Sequence, residues 1–307
     1  MSGVLGGTIG SSYRLIGQAL YESSGTWTAP TGVTSVSVVA IGGGGGGLWS
    51  NSGSGSAGGG GGGLAWKNNI PVTPGQSYMV IVGAGGLSDT NGSSVITATA
   101  GGTSEFNNTV FAFGGSAATS HGSITPPNGG DYVGSGGGVG GAGGRADTGN
   151  SNGQQATGGG GAGGYSGDGG NGGSSFEKGD QNGTAGLGGA GGGGGGSGSN
   201  STAGSGGGVG VFGQGASGEL GGGGTTNGDG AGGSGGSDGT SANRPFSGTP
   251  PEDLYSSTLK NTPGLYGGGA GGSVNQTGGE QSNGAQGAVR IIWGPNRAFP
   301  STNTGDM

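Results

Sequence analysis

Cysteine is absent from this 307-residue chain and histidine occurs once, at His121. The first absence excludes disulfides, thiolate nucleophiles, iron–sulfur clusters and cysteine zinc sites. The second leaves a catalytic triad without a setting. His121 lies in a Ser/Gly/Pro loop, with no strand–turn element to hold a nucleophile beside it. It reads as a bonded loop residue; the one metal arrangement open to it is three copies meeting on a threefold axis. Charge is also scarce. Lys plus Arg number 8 against 15 Asp plus Glu, a formal charge of −7. That balance offers no basic surface for nucleic acid and no basic amphipathic stretch for a membrane surface. No apolar run approaches the length of a spanning helix, so no membrane insertion is expected. Met1–Gly10 carries neither the basic nor the apolar region of a secretory signal, so release by lysis or on a carrier particle is expected.

Glycine is what the chain has instead, 98 residues of it, alongside only 11 prolines. Between about Gly134 and Thr240 the non-glycine residues recur every third position. Val139, Ala142 and Arg145 form one such series, and Ala162, Tyr165, Asp168, Asn171 and Ser174 another. Thr184, Leu187 and Ala190 follow, then Val209 and Phe212, then Ala231, Ser234, Ser237 and Thr240. Three is neither the helix period nor the strand period. It is the period of the polyproline II conformation, with 3 residues per turn and about 3.1 Å rise. One such helix alone has no internal hydrogen bonds, and glycine loses the most entropy on ordering. Packed side by side, such segments can bond N–H to C=O between neighbours. Collagen is excluded by the missing Gly-X-Y repeat and the low proline content. Packed polyglycine II helices, long ordered loops and a low-complexity linker are the three readings of this region.

Strand signals lie at the two ends. Trp27 precedes an Ala29-Pro30-Thr31-Gly32 turn, and Val33–Ile41 reads as a strand running into Gly42–Gly47. After a second run, Gly58–Gly63, sheet character resumes at Leu64–Asn68. Pro74-Gly75 turns the chain into Ser77–Val82, the strongest strand signal. Shorter candidates follow at Ser94–Ala98, Phe106 and Thr109–Phe113, and one helical turn at Glu252–Leu259. Gly287–Gly294 closes the chain as a strand, with Arg290 expected on its solvent side, and is expected to pair with the strands at 33–41 and 77–82. The expected fold is mainly β: an antiparallel β-sandwich closed by the C-terminal strand, with a long glycine-rich insertion of packed polyglycine II helices. Its divisions are an N-terminal arm (1–25), the scaffold (26–133), the glycine-rich region (134–241) and a connecting segment (242–266). A glycine patch with the closing strand (267–294) and a tail (295–307) complete it. The expected scaffold core is Trp27, Val36, Val38, Tyr78, Val80, Val82, Val289, Ile291 and Trp293.

Little here points to chemistry. Gly42–Gly47 leads into Leu48-Trp49 rather than the Lys-Ser/Thr of a phosphate loop. Asp168-Gly169-Gly170-Asn171, Asn227-Gly228-Asp229-Gly230 and Ser237-Asp238-Gly239 place oxygens beside glycines, yet a calcium-loop pattern with its closing glutamate is missing. They read as turns. No paired carboxylates sit on an anchored framework. A non-enzyme without metal or cofactor is expected.

The series Trp27–Val33, Val36–Ile41 into Gly42–Gly47, Gly58–Gly63, Pro74–Gly83 and Gly287–Gly294 resembles the glycine-rich domain of tailed-bacteriophage fibre and virion structural proteins, those of marine cyanophages among them. The tail Arg297–Thr304 resembles the ending of such proteins. Residues 134–241 are similar, more loosely, to the polyglycine sandwich of distal tail-fibre adhesins. The resemblance implies a structural protein located on the virion and extracellular, a tail-fibre or surface-decoration component. Its implied partners are copies of itself, as a trimer or filament, and other virion proteins. An adhesin at a fibre tip is the alternative, binding a host surface glycan or outer-membrane protein. Tyr165, Phe176, Phe212, Phe246, Tyr255 and Tyr266 are the candidate partner or receptor contacts, or else plugs between glycine layers. A free filament, or an ice-binding face using Thr184, Ser234, Ser237 and Thr240, are the readings from other classes.

Overall fold

A computed structural model of the chain describes residues 15–50, 55–89, 97–119, 125–146, 155–175, 189–196, 198–199, 203–222, 230–239, 262–274 and 283–301. Within them the chain is mainly β, with no α- or 3₁₀-helix. The strands are β1 (Gly17–Tyr21), β2 (Gly25–Thr28), β3 (Ser35–Ile41), β4 (Trp49–Ser50), β5 (Leu64–Pro71), β6 (Ser77–Ile81) and β7 (Ser104–Phe106). They continue with β8 (Val110–Ala112), β9 (Tyr132–Val133), β10 (Gly136–Gly138), β11 (Gln155–Ala156), β12 (Gly198–Ser199), β13 (Ser273–Val274) and β14 (Ala288–Trp293). Two five-stranded antiparallel sheets pack face to face. The first has the order β1-β14-β3-β5-β10, the second β2-β6-β7-β8-β9.

The closing strand β14 sits inside the first sheet, with Ile291 opposite Val38 of β3 and Ala19 of β1. It does not pair with β6, which belongs to the second sheet. The expected pairing with 77–82 is therefore corrected to packing across the sandwich. Residues 17–21 form an edge strand of the scaffold.

Strand alternation sends side chains to two separate cores. Val36, Val38, Ala40, Val289 and Ile291 face the second sheet, where they meet Trp27, Val80, Phe106 and Val110. Trp27 gathers the rings of this core, lying 5.8 Å from Tyr78, 6.3 Å from Phe106 and 5.5 Å from Trp293 between centroids. All nine scaffold-core residues named from the sequence lie in or against this cluster. The opposite face of the first sheet is buried too. There Val39, Ile41, Leu64, Ala288 and Ile292 pack on Ala162, Tyr165, Val209, Val211 and Phe299. Arg290 points to that side and is 1 % exposed, so its expected place in solvent is overturned. Alternation had fixed its face correctly, but that face is covered.

The cover is a body of glycine segments, and it is not confined to residues 134–241. The connections between the strands supply much of it. Gly42–Gly47 continue β3, Gly58–Gly63 lead into β5, residues 113–118 follow β8, and residues 283–287 return to β14. Hydrogen bonding in these segments rotates with a period of three. Gly42, Gly45 and Leu48 donate to Gly63, Gly60 and Ala57 at 2.8–2.9 Å, while Gly43 and Gly46 donate to Gly102 and Thr99, and Gly44 to Ala285. Carbonyls of the same segment accept from Gly86 and Asp89, from Gly115 and Ala118, and from Ala270. Residues 157–164 behave alike. Thr157, Gly160 and Gly163 donate to Ser56, Gly59 and Gly62; Gly158, Gly161 and Gly164 to Gly173, Gly170 and Gly167; Gly159 and Ala162 to Gly204 and Gly207. Their carbonyls accept from Gly141 and Gly144, Gly192 and Gly195, and Gly269 and Gly272. Donors of 157–164 thus reach three neighbouring segments and its carbonyls receive from three others.

Such packing leaves no room for a side chain. A Cβ on Gly161 would overlap the carbonyl oxygen of Gly192, and one on Gly45 that of Ser116. Neither obstacle is a movable side-chain end. Where the backbone suits alanine and space is open, replacing glycine by alanine stabilises by about 0.4–1 kcal/mol through the unfolded chain. For Gly161→Ala and Gly45→Ala the sign reverses, with an expected loss of roughly 1–3 kcal/mol from overpacking. Gly25→Ala, whose Cβ meets only the Tyr21 ring at 3.4 Å, is expected to hold or gain stability. Chemical-denaturation midpoints check this; equal midpoints for all three variants would contradict the close packing.

Candidate assembly surface

Among the described residues, Tyr165, Phe212 and Tyr266 do not form a shared exposed platform, since Tyr165 is buried and Tyr266 half-buried. Phe176, Phe246 and Tyr255 lie outside the described residues, as do His121, Thr184, Leu187, Thr240 and the 252–259 segment. Tyr165 is 2 % exposed. Its hydroxyl donates to the carbonyl of Gly210 at 3.0 Å and accepts from the amide of Gly213 at 3.2 Å. Its ring stacks on Phe299, 5.8 Å between centroids, and its carbonyl accepts the Trp66 indole N–H at 3.0 Å. Tyr165 is therefore part of the joint between glycine body and first sheet, as the plug reading expects.

Phe212 stands at the rim of that joint, 42 % exposed, with the Arg290 guanidinium 4.6 Å from its ring centroid. Arg290 also donates to the carbonyl of Val211 at 3.1 Å and to Gln18 Oε1. A cation is costly to bury unless hydrogen-bonded, and the π face of Phe212 adds a further attraction. This one side chain ties β14, β1 and the glycine body together. Sequence reading missed it because β-strand alternation says which face a residue takes, not what covers that face.

The C-terminal tail is clamped to the same joint. Asn68 donates its side-chain amide to the Phe299 carbonyl at 2.7 Å and accepts the Phe299 N–H at 2.9 Å. The carbonyl of Pro300 receives the Gln214 N–H at 2.8 Å. On the far edge, Tyr266 is half-buried and its hydroxyl donates to Glu22 Oε1, which joins the last glycine patch to the segment after β1.

Serine, threonine, aspartate and asparagine oxygens replace main-chain carbonyls throughout the body. Gly47 N–H donates to Ser88 Oγ at 2.9 Å, Gly58 N–H to Thr157 Oγ1 at 3.1 Å, and Gly232 N–H to Asp238 Oδ1 at 2.8 Å. Ser234 Oγ accepts from Gly215, and Ser237 Oγ from Leu265. The two serines named for an ice-binding face thus bond to backbone within the chain. The oxygens beside glycine at Asp168, Asn171 and Asp238 likewise accept backbone N–H groups. For Asp168 and Asn171 the spacing by three in the sequence was the available signal; the partner could not be read from it.

Burial above all, then the Glu22 hydrogen bond and charge, pushes the Tyr266 phenol up to about 12. Burial raises Tyr165 as well, more than its hydrogen bond from Gly213 and the Arg290 charge lower it. An unfolded tyrosine ionises near 10, so both groups favour the folded state below that pH. Stability is then lost as pH rises from about 10 through 12. Tyr266→Phe is expected to shallow this loss, read as denaturation midpoints at pH 8, 10 and 11. An identical alkaline slope in the variant would show that Tyr266 ionises freely.

No curated protein sequence matches the chain. A family model described as a glycine-rich domain matches residues 20–237. That span opens in β1 and takes in every strand of the second sheet, together with most of the glycine segments that cover the first. With well over half of its length inside that match and its buried body built from hydrogen-bonded glycine runs, the chain belongs to the glycine-rich domain family.

Proposed function

We propose that this chain is a non-enzymatic structural protein of a phage particle, a tail-fibre or surface-decoration component. The sandwich serves as the assembly base, and the glycine body is an array of packed polyglycine II helices projecting from it. The observation that carries the array is the three-residue rotation of donors in 42–48 and 157–164. Strands, which alternate with period two, would send donors to two sides only. The sequence resemblance to fibre and virion proteins supplies the particle, and with it an extracellular location on the virion.

Association with further copies, as a trimer or filament, fits the distribution of side chains. The outer face of the second sheet leaves Met79, Phe113 and Val133 exposed, whereas that of the first is covered by the glycine body. A second copy, or another virion protein, is the proposed occupant of that open face.

A fibre-tip adhesin is the second reading, and one observation favours it. The bridges Ser56–Ala156 and Ala146–Ser175 and the pairing of β4 with β13 join glycine segments beyond the ends of the sandwich strands. A receptor-binding tip, meeting a host glycan or outer-membrane protein, would present those segments.

Cryo-electron microscopy of the purified protein with mass photometry tests the proposal. The expected result is a discrete oligomer or filament joined through the sandwiches, with φ and ψ in residues 157–163 near −75° and +145°. A monomer at micromolar concentration, or dihedral angles in the strand region, would overturn it. Contacts confined to the segments joined by those bridges would favour the adhesin.

A further inference from the structure

Residues 139–145 form a flank of the glycine body, and their donors divide into three rows. Gly141 and Gly144 donate inward to the carbonyls of Gly161 and Gly158, both at 2.8 Å. Gly140 and Gly143 donate sideways to Gly130 and Pro127, both at 2.9 Å. The third row, Val139, Ala142 and Arg145, meets no main-chain carbonyl. It donates instead to side chains: Val139 N–H to Asp168 Oδ1 at 2.9 Å, Ala142 N–H to Asn171 Oδ1 at 2.8 Å, and Arg145 N–H to Ser174 Oγ at 2.8 Å.

The match is regular. Each pair is 29 residues apart. Carbonyls of the same three residues receive N–H groups from Gly169, Gly172 and Ser175 at 2.8, 2.8 and 3.0 Å. A carboxylate, an amide and a hydroxyl share one property here, an oxygen acceptor on a short side chain. Asp168 and Asn171 are exposed, and Val139, Ala142 and Arg145 are partly so. The row is therefore reached from outside.

We propose that Asp168, Asn171 and Ser174 close this flank against a second copy of the chain. Elsewhere in the body complete donor rows are met by the carbonyls of the next glycine segment, as Gly158, Gly161 and Gly164 are by Gly173, Gly170 and Gly167. A glycine segment of a neighbouring molecule would supply the same carbonyls at the same three-residue spacing. With side-chain oxygens already in place, that pairing gains nothing, and the array ends at the surface of one molecule. An unmet edge of backbone donors is the feature that lets sheets aggregate; this row is its counterpart for a period-three array. It rests on the hydrogen bonds alone, independent of whether the protein belongs to a virion.

The test uses the full chain with D168A/N171A/S174A, and D168N as the charge control. The triple variant is expected to show at least tenfold faster amide exchange at Val139, Ala142 and Arg145. It is also expected to show a concentration-dependent rise in sedimenting mass above wild type. D168N keeps an oxygen acceptor, so it is expected to match wild type in both. A folded triple variant with wild-type exchange and mass would overturn the proposal. Association of D168N equal to that of the triple variant would also overturn it, since charge rather than closure would then govern assembly. If the triple variant does not fold, N171A alone is read at the Ala142 amide and in sedimentation, with unchanged values at both overturning the proposal.

Discussion

A buried peptide group without a partner costs as much as a lost hydrogen bond, and in a chain with 98 glycines that constraint governs everything else. There are too few side chains to make an ordinary core in the glycine-rich segments. What can be buried there is backbone, and backbone can be buried only if each N–H and C=O is met. The segment 157–164 satisfies this by turning successive donors to three different neighbours. Each bond contributes only about 1 kcal/mol net, but an orphaned group costs more than that. Where no main-chain carbonyl meets a donor, as at Gly47, Gly58 and Val139, a side-chain oxygen does.

The sandwich and the array solve the same problem with different periods, and the joint between them is where side chains are needed. β3 ends at Ile41 and becomes Gly42–Gly47 without a turn, so one chain passes from period two to period three. At that junction Ile41, Leu64 and Ala288 meet Ala162, Tyr165 and Val209. Arg290 crosses it with bonds to Val211 and Gln18. Large residues are concentrated there because two lattices of unlike spacing leave gaps that glycine cannot fill.

Much of the scaffold was legible in the sequence because its strands carry their own signals. Val36–Ile41, Ser77–Ile81 and Ala288–Trp293 alternate or run apolar, and each is a strand. Local pattern also displayed the threes of Val139, Ala142, Arg145 and of Asp168, Asn171, Ser174. It did not display that these two series bond to one another, since the register between distant segments is not a local property. Arg290 was misread, and the two readings of Tyr165 were left unseparated, for a related reason. What lies over them comes from Val211, Phe212 and Phe299, far along the chain. The scattering of the glycine body among the strand connections was hidden by the size of its largest piece, which made it look like one insertion.

Sequence spacing also looks different once the array is in view. In a helix or strand, polar residues repeat because one side faces water. Here Asp168, Asn171 and Ser174 face a neighbouring backbone while still reaching the surface. A polar series of period three beside glycines is then a statement about where the lattice stops. Such a series is missing from Gly42–Gly47 and Gly58–Gly63, whose donors point mostly at other backbone and, at Gly47 and Gly58, at the side-chain oxygens of Ser88 and Thr157. The composition that makes the chain look featureless thus sets both the extent of the array and the place where side chains return.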